Sequence, residues 1–332
     1  MRMLEHFSGC RVLAYVVMGN HFHLLLEVPP RPETGLDAGT LDRGLFAKRL
    51  AGIYKPGEVA EILMALDTAL AATDGSEASR TRVTEEIAGP YLVRMHDLSE
   101  FMNGLLKRFT RWFNRQHART GTLWEERFRS VIVENGIPAR TVAAYIDLNP
   151  VRAGMAKDPA DYRWSSYGEA VGAGARSVAG KAARGGLVRA LLCSDGVADE
   201  PERWAQVSGR YRLLLRQAME RKGRTMAVRQ GNEMGAVAGP AVAGFGSSAD
   251  AADAKAGFAA EMGFAGMLMK RVSYFTAGAV IGSRECVESC FDQARHRFGP
   301  KRKTGARRMR GTAKEAAGVI WALRDCGEIP RK

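Results

Sequence analysis

The chain has 332 residues, 46% of them hydrophobic, and carries a formal net charge of +13 from 49 Lys and Arg against 36 Asp and Glu. A chain of this length buries a sizeable core, and its positive excess favours a polyanionic partner, either nucleic acid or an anionic membrane surface. No stretch approaches the ~20 apolar residues needed to span a bilayer, "MRMLEHFSGCRVLAYVV" is interrupted too early for a signal peptide, and five scattered cysteines fit reduced thiols better than a disulfide framework. These features favour a soluble, cytoplasmic nucleic-acid protein with no membrane partner.

Residues 1–9 read as the end of a helix closed by Gly9. "CRVLAYVVM" is β-branched and aromatic, Gly19-Asn20 is a turn signal, and "HFHLLLEV" follows, so residues 11–28 are expected to form a β-hairpin that Pro29-Pro30 ends. Side chains alternate along a strand, so His21 and His23 share a face with Leu25 and Glu27. Residues 31–96 hold helical segments near 38–53, 57–72 and 77–88 and read as a helical insertion.

Asp97, with Glu100 three residues on, caps a helix over "FMNGLLKRFTRWFNRQH". Phe101, Leu105, Phe109 and Trp112 recur at helical spacing, with Lys107, Arg108, Arg111 and Arg115 interleaved. Core packing is the expected place of Trp112; stacking on bases is the alternative for Trp112 and Trp124. "RFRSVIVE" (127–134) alternates as a strand, which puts Arg127 and Arg129 on one face. With Arg108, Arg111 and Arg115 they read either as a basic DNA-binding surface or as an ordinary solvated face. Pro138 suits the first turn of a helix through "ARTVAAYIDLN", which Pro150 is expected to stop.

Composition then divides the chain. Residues 1–170 read as one domain, 171–186 as a Gly/Ala/basic linker, 187–233 as a helical segment, 234–263 as a low-complexity linker and 264–332 as a small basic C-terminal region. That last region has a strand-like "RVSYFTAGAVIGS", a helix from about Arg284 to His296, and a basic run at 301–310 that reads as a solvated tail or a grip on a hairpin stem. Cys286 and Cys290 lie one helical turn apart with no second pair to complete a zinc site, and read as buried thiols. No Gly-rich phosphate loop is present, so ATP-driven chemistry is not expected.

Two stretches carry chemistry. His21 and His23 present two imidazoles to one side of a strand and can fill two positions on a metal. Such a pair is more often structural, but residues 24–26 and Val28 make this strand core-like, where an imidazole without a partner is costly. In "YIDLNPVRAG" (145–154), Tyr145 and Asn149 are four apart and share a helix face. The Asn carbonyl oxygen is a neutral metal ligand, while Tyr145 reads equally as a core aromatic. Two histidines and an amide oxygen suit Mg²⁺ or Mn²⁺ with open water positions rather than structural Zn²⁺. A site of that kind suits phosphodiester chemistry, in which the Tyr145 hydroxyl attacks phosphorus.

The His21-Phe22-His23 motif after "MGN", then "GTLWEERFRSVIVE", "YIDLNPVRAG" and "DYRWSSY", resemble in order the single-tyrosine transposases with a His-hydrophobic-His motif. The nearest group is the REP-associated tyrosine transposases, within the insertion-sequence-200-like transposase family, and the resemblance covers residues 1 to about 170. It implies a ferredoxin-like α/β (α+β) fold, an antiparallel sheet with packed helices, to which the composition adds a mainly helical C-terminal extension. It also implies an endonuclease and strand-transferase for DNA transposition and recombination. Such an enzyme cuts single-stranded, hairpin-containing DNA through a 5′-phosphotyrosine and rejoins it without ATP. By position, Tyr145 is the nucleophile, His21 and His23 are metal ligands, Asn149 is the third ligand, and Mg²⁺ or Mn²⁺ is the cofactor. Arg152 is placed to contact a phosphate or the helix end. Palindromic-repeat DNA is the implied partner, with the protein acting as a monomer or a homodimer.

The family fold opens with a strand and a full helix before the hairpin, whereas this chain begins within that helix, so the first strand is expected to be missing. The alternative is therefore a catalytically impaired, domesticated, sequence-specific DNA-binding protein. A third reading is a nuclease that uses water in place of Tyr145.

Overall fold

A computed structural model describes residues 1–192, 201–229, 268–269, 275, 278–309 and 319–324; the low-complexity stretch 234–263 lies outside them. The chain divides into two units, one made of Met1–Val12 and Leu26–Phe128, the other of Leu13–Leu25 and Arg129–Lys332.

In the first unit, helix α1 (Arg2–Ser8) ends where expected, at Gly9. Gly9 has φ 77°, a left-handed conformation that glycine adopts without steric cost, and a Cβ there would lie 2.7 Å from the His96 ring. The insertion forms α2 (Arg43–Leu50), α3 (Pro56–Ala71) and α4 (Glu77–Leu92). Side chains of Asp42 and Ser76 cap α2 and α4 by accepting from the backbone N–H groups of Leu45 and Ser79, and Pro56 opens α3. Phe7, Leu36, Phe46, Leu50, Leu92 and Met95 are buried in their shared core. Helix α5 (Leu98–Gln116) begins as read from the sequence, with the Asp97 carboxylate 2.7 Å from the Glu100 N–H. Phe101 and Met102 are buried, but the stripe is not covered along its length: Trp112 is 50% exposed, contrary to its expected place in the core.

Strands β1 (Arg11–Val17) and β2 (Phe22–Glu27) form the expected hairpin. Within the second unit, Val16 bridges Ser165, the Val17 N–H donates to the Trp164 carbonyl at 2.9 Å, and the Tyr162 hydroxyl donates to the Val17 carbonyl at 2.7 Å. "DYRWSSY" thus covers the free edge of β1. Helices α6 (Ile137–Asp147), α7 (Asn149–Arg152), α8 (Ser166–Val171), α9 (Val178–Leu192) and α10 (Trp204–Arg229) build the helical part. Pro150 does not stop the chain's helical course. Leu148 makes the break, and Pro150 falls in the first turn of α7, where its missing N–H would have had no helical partner.

Two expectations give way here. Most of the Gly/Ala stretch read as a linker belongs to α9, because its small residues pack: Gly180, Ala183, Gly186 and Ala190 are buried, and a Cβ on Gly180 would lie 2.4 Å from the Gly174 carbonyl oxygen. The strand expected over 127–134 is reduced to β3 (Ile132–Val133), so Arg127 and Arg129 do not share a strand face. Those two residues pair in parallel with β4 (Gly278–Gly282), and the Glu134 N–H extends the contact to the Ile281 carbonyl at 2.9 Å.

The α+β class holds. Among the described residues the sheet is in two pieces: the hairpin, and a four-stranded sheet in the order β3-β4-β6-β5, where β5 is Arg307–Arg308 and β6 is Trp321–Arg324. Strand β6 runs antiparallel to both neighbours. In the region 264–332 the described residues hold the expected strand within "RVSYFTAGAVIGS", as β4, and the expected helix, α11 (Arg284–Gln293), together with β5 and β6.

Asp147, at the end of α6, is 0% exposed. It accepts hydrogen bonds from the Ser166 hydroxyl (2.8 Å), the Tyr167 N–H (3.0 Å) and the Tyr211 hydroxyl (2.6 Å), which joins α6 to α8 and α10. Burial pushes its carboxyl up to about 6, against the pull of these three donors. Removing the acceptor strands three donors, so Asp147→Ala should destabilise this unit by about 3 kcal/mol or more, and Tyr211→Phe by about 1–2 kcal/mol. Urea unfolding followed by circular dichroism measures both, and an Asp147→Ala midpoint equal to wild type would overturn this assignment.

Candidate active site

The hairpin turn delivers the histidines. His21 stands just before β2, exposed, with Nδ1 2.7 Å from the Asn20 side-chain oxygen. His23 lies within β2 and is half-buried, two residues before the buried Leu25. The two rings are 5.1 Å apart, centroid to centroid, and nearly perpendicular at 83°. Burial, then the neighbouring His21 and Arg152, hold His23 down at about 4. At neutral pH it is therefore unprotonated, the form in which an imidazole binds a metal.

Helices α6 and α7 supply the other wall. Tyr145 is 4% exposed, with its ring centroid 6.4 Å from that of His23 and 4.3 Å from that of Phe275. The Arg152 guanidinium lies 3.6 Å from the centre of the Tyr145 ring, a close cation–π contact. Arg152 also donates to the Asn149 side-chain oxygen, to the Leu268 carbonyl at 2.8 Å and to the Tyr145 carbonyl at 3.3 Å. The Asn149 amide nitrogen donates to the Tyr145 and Ile146 carbonyls, at 3.1 and 3.3 Å.

The structure thus gathers His21, His23, Tyr145, Asn149 and Arg152 in the second unit. Two of the three expected ligands suit a divalent cation, since both imidazoles lie at one end of the hairpin and His23 is held neutral. Asn149 does not suit it in this arrangement, because its oxygen is engaged by a guanidinium. A fixed guanidinium and a divalent cation repel each other unless an anion lies between them.

The remaining predicted arginines stand on other segments of the chain. Arg108, Arg111 and Arg115 are exposed on α5 of the first unit, and Arg127 of that unit sits over the Phe128 ring at 6.0 Å. Arg129, in the second unit, is exposed in an irregular segment. Cys286 and Cys290 are free, half-buried thiols on α11; burial and then Glu134 push Cys286 up to about 11, which favours the thiol over a metal-binding thiolate. Among the described residues, no group of three or more His, Cys, Asp or Glu side chains forms another metal cage.

Sequence reasoning missed the hold of Arg152 on both Tyr145 and Asn149. The spacing of Tyr145, Asn149 and Arg152 at i, i+4 and i+7 was the available signal. The Phe275 contact had none.

No protein-family model matches the chain, and neither a curated protein nor a solved structure matches it significantly. Among the described residues, no helix is long and apolar enough to cross a membrane.

His23 makes a testable signature. Its folded-state pKa near 4 lies below the value of 6.5 for a free histidine, so between these values the unfolded chain binds the extra proton. The resulting stabilisation is complete above about pH 6.5 and is lost as pH falls through 4. The urea midpoint of wild type should fall across that window, and His23→Gln should flatten the slope. Identical pH profiles for the two proteins would contradict the burial assigned to His23.

Proposed function

We propose that this chain is a tyrosine-dependent endonuclease and strand-transferase for single-stranded, hairpin-containing DNA. The observation carrying this reading is the convergence of His21 and His23 with Tyr145, Asn149 and Arg152 on one site. An ordinary core tyrosine is surrounded by apolar groups, whereas this ring is flanked by a guanidinium and an imidazole.

In the proposed reaction the Tyr145 Oη attacks phosphorus. The Oη–P bond forms, the bond from phosphorus to the 3′ oxygen breaks, and that oxygen leaves as a 3′-hydroxyl after taking a proton. Reversal by an incoming 3′-hydroxyl rejoins the strand and restores the phenol. Arg152 offsets charge on the phosphoryl oxygens, and Asn149 positions Arg152 by accepting its hydrogen bond. A Mg²⁺ or Mn²⁺ ion held by His21 and His23 would polarise a non-bridging oxygen.

A second reading, a hairpin-binding protein that does not cut, is favoured by two observations. Tyr145 is only 4% exposed, and the Asn149 oxygen is engaged by Arg152.

Labelled single-stranded hairpins incubated with the full chain and Mn²⁺ or Mg²⁺, then run on a denaturing gel, separate these readings. A covalent adduct should form, disappear with chelator, and fall more than about 100-fold in Tyr145→Phe. Arg152→Ala should slow cleavage by roughly 100-fold, as expected for loss of a charge-stabilising donor. Hairpin binding without an adduct would establish the non-cutting protein. Cleavage that persists in Tyr145→Phe would identify a nuclease using water.

A further inference from the structure

We propose a second nucleic-acid site, on the first unit: the C-terminal half of α5 and the loop behind it form a stacking platform for unpaired bases. The proposal rests on the reading of DNA as the partner, but it does not use the Tyr145 chemistry.

The periodic stripe on α5 is divided. Its first turn buries Phe101 and Met102, while further along Phe109 is 39% exposed and Trp112 50% exposed. Contiguous exposed apolar surface marks binding sites where singly scattered rings do not, and here the rings are clustered and held in place. The Phe109 ring lies 5.6 Å from that of Trp112, 6.1 Å from that of Phe113 and 5.6 Å from that of Trp124, with tilts of 33–45°.

The loop after α5 fixes this arrangement. The Asn114 amide donates to the Gly121 carbonyl at 2.9 Å, and the Arg119 N–H donates to the Asn114 carbonyl at 2.9 Å. The Trp124 indole N–H reaches back to the Leu106 carbonyl at 3.3 Å. Trp124 is thereby anchored by its polar edge while its ring lies against Phe109. A platform built before the ligand arrives loses little entropy on binding.

Charge selects the occupant. Arg108, Arg111 and Arg115, all exposed, occupy a stripe beside the aromatic one, and α5 carries no acidic residue after Glu100. Rings flanked by arginines match a single strand, whose bases stack on the rings while its phosphates meet the guanidinium groups. The apolar core of a protein–protein interface is instead depleted of charge. Glu125 and Glu126, exposed beyond Trp124, would turn the phosphate backbone away at that end. Paired bases cannot offer their faces, so the platform selects single-stranded loops or tails over duplex.

The test measures binding of the full chain to three fluorescent oligonucleotides of equal length: a thymidine strand of about 15 nucleotides, its abasic counterpart, and a duplex. Stacking predicts that wild type prefers the thymidine strand to the abasic one by about tenfold. Phe109→Ala with Trp112→Ala should abolish that preference but keep the salt dependence. Arg108→Gln with Arg115→Gln should reduce the salt dependence and keep the preference. Because the two truncated rings are exposed, unchanged urea unfolding checks that the variant is folded.

An equal affinity of wild type for thymidine and abasic strands, or a preference that survives loss of both rings, would overturn the proposal. So would a shift of the ring variant from dimer to monomer in sedimentation with its base preference intact; that result would make the face an interface between copies. The catalytic reading fails separately: Tyr145→Phe should keep the base preference, so missing adduct chemistry with an intact preference refutes only the strand-transferase.

Discussion

Moving a carboxyl group from water into a protein interior costs several kcal/mol unless hydrogen bonds replace its hydration. Asp147 meets that cost with three donors drawn from two other helices. One of them, the Ser166 hydroxyl, also accepts from the Tyr15 N–H of β1 at 3.0 Å. The hydrogen-bonded path runs from α6 through α8 to the hairpin, and the hairpin carries His23. Tyr145 stands two residues before Asp147 on α6, on a different side of the helix. The buried carboxylate thus fixes the tyrosine helix and the histidine strand against a common reference. The site inherits its geometry from that polar core.

The electrostatics of the site follow from burial and from one arginine. Desolvation, His21 and Arg152 all oppose protonation of His23. Lysine would be a poor substitute for Arg152. A guanidinium is planar, so it can lie over the Tyr145 ring while its edge donates to an amide oxygen and to backbone carbonyls. Under the proposed function, the guanidinium of Arg152 faces the phosphate under attack.

Local signals were the ones legible in the sequence. Gly9, Asp97 and the Gly19-Asn20 turn act over a few residues, and each marks its element correctly. The spacing of Tyr145 and Asn149 predicted that they lie close together; they do, but across the break at Leu148 rather than on one helix, with the Asn149 amide donating to the Tyr145 carbonyl. What the sequence concealed depends on tertiary partners. A Gly/Ala run reads as a linker because its composition lacks bulk, but that same lack of bulk lets α9 pack closely. The alternation in "RFRSVIVE" is genuine, yet a strand needs a neighbour, and among the described residues β4 meets this stretch at its end, from Ile132 to Glu134. Phe275 reaches Tyr145 from a distant part of the chain, where no spacing rule applies.

Helix α5 shows the same limit in a form that bears on function. Periodicity states which residues share a face; it does not state what covers that face. Trp112 obeys the helical pattern of a core residue and is nevertheless half exposed. The adjacent arginines decide how that exposure is interpreted, because they make burial of the stripe against another apolar surface costly and its approach by a polyanion favourable. Arginine thus shapes each candidate site differently: at Tyr145 one guanidinium is fixed by the ring, the Asn149 oxygen and backbone carbonyls, and along α5 several line a face of open rings. The first arrangement suits the holding of a single phosphate, and the second suits a strand of nucleic acid.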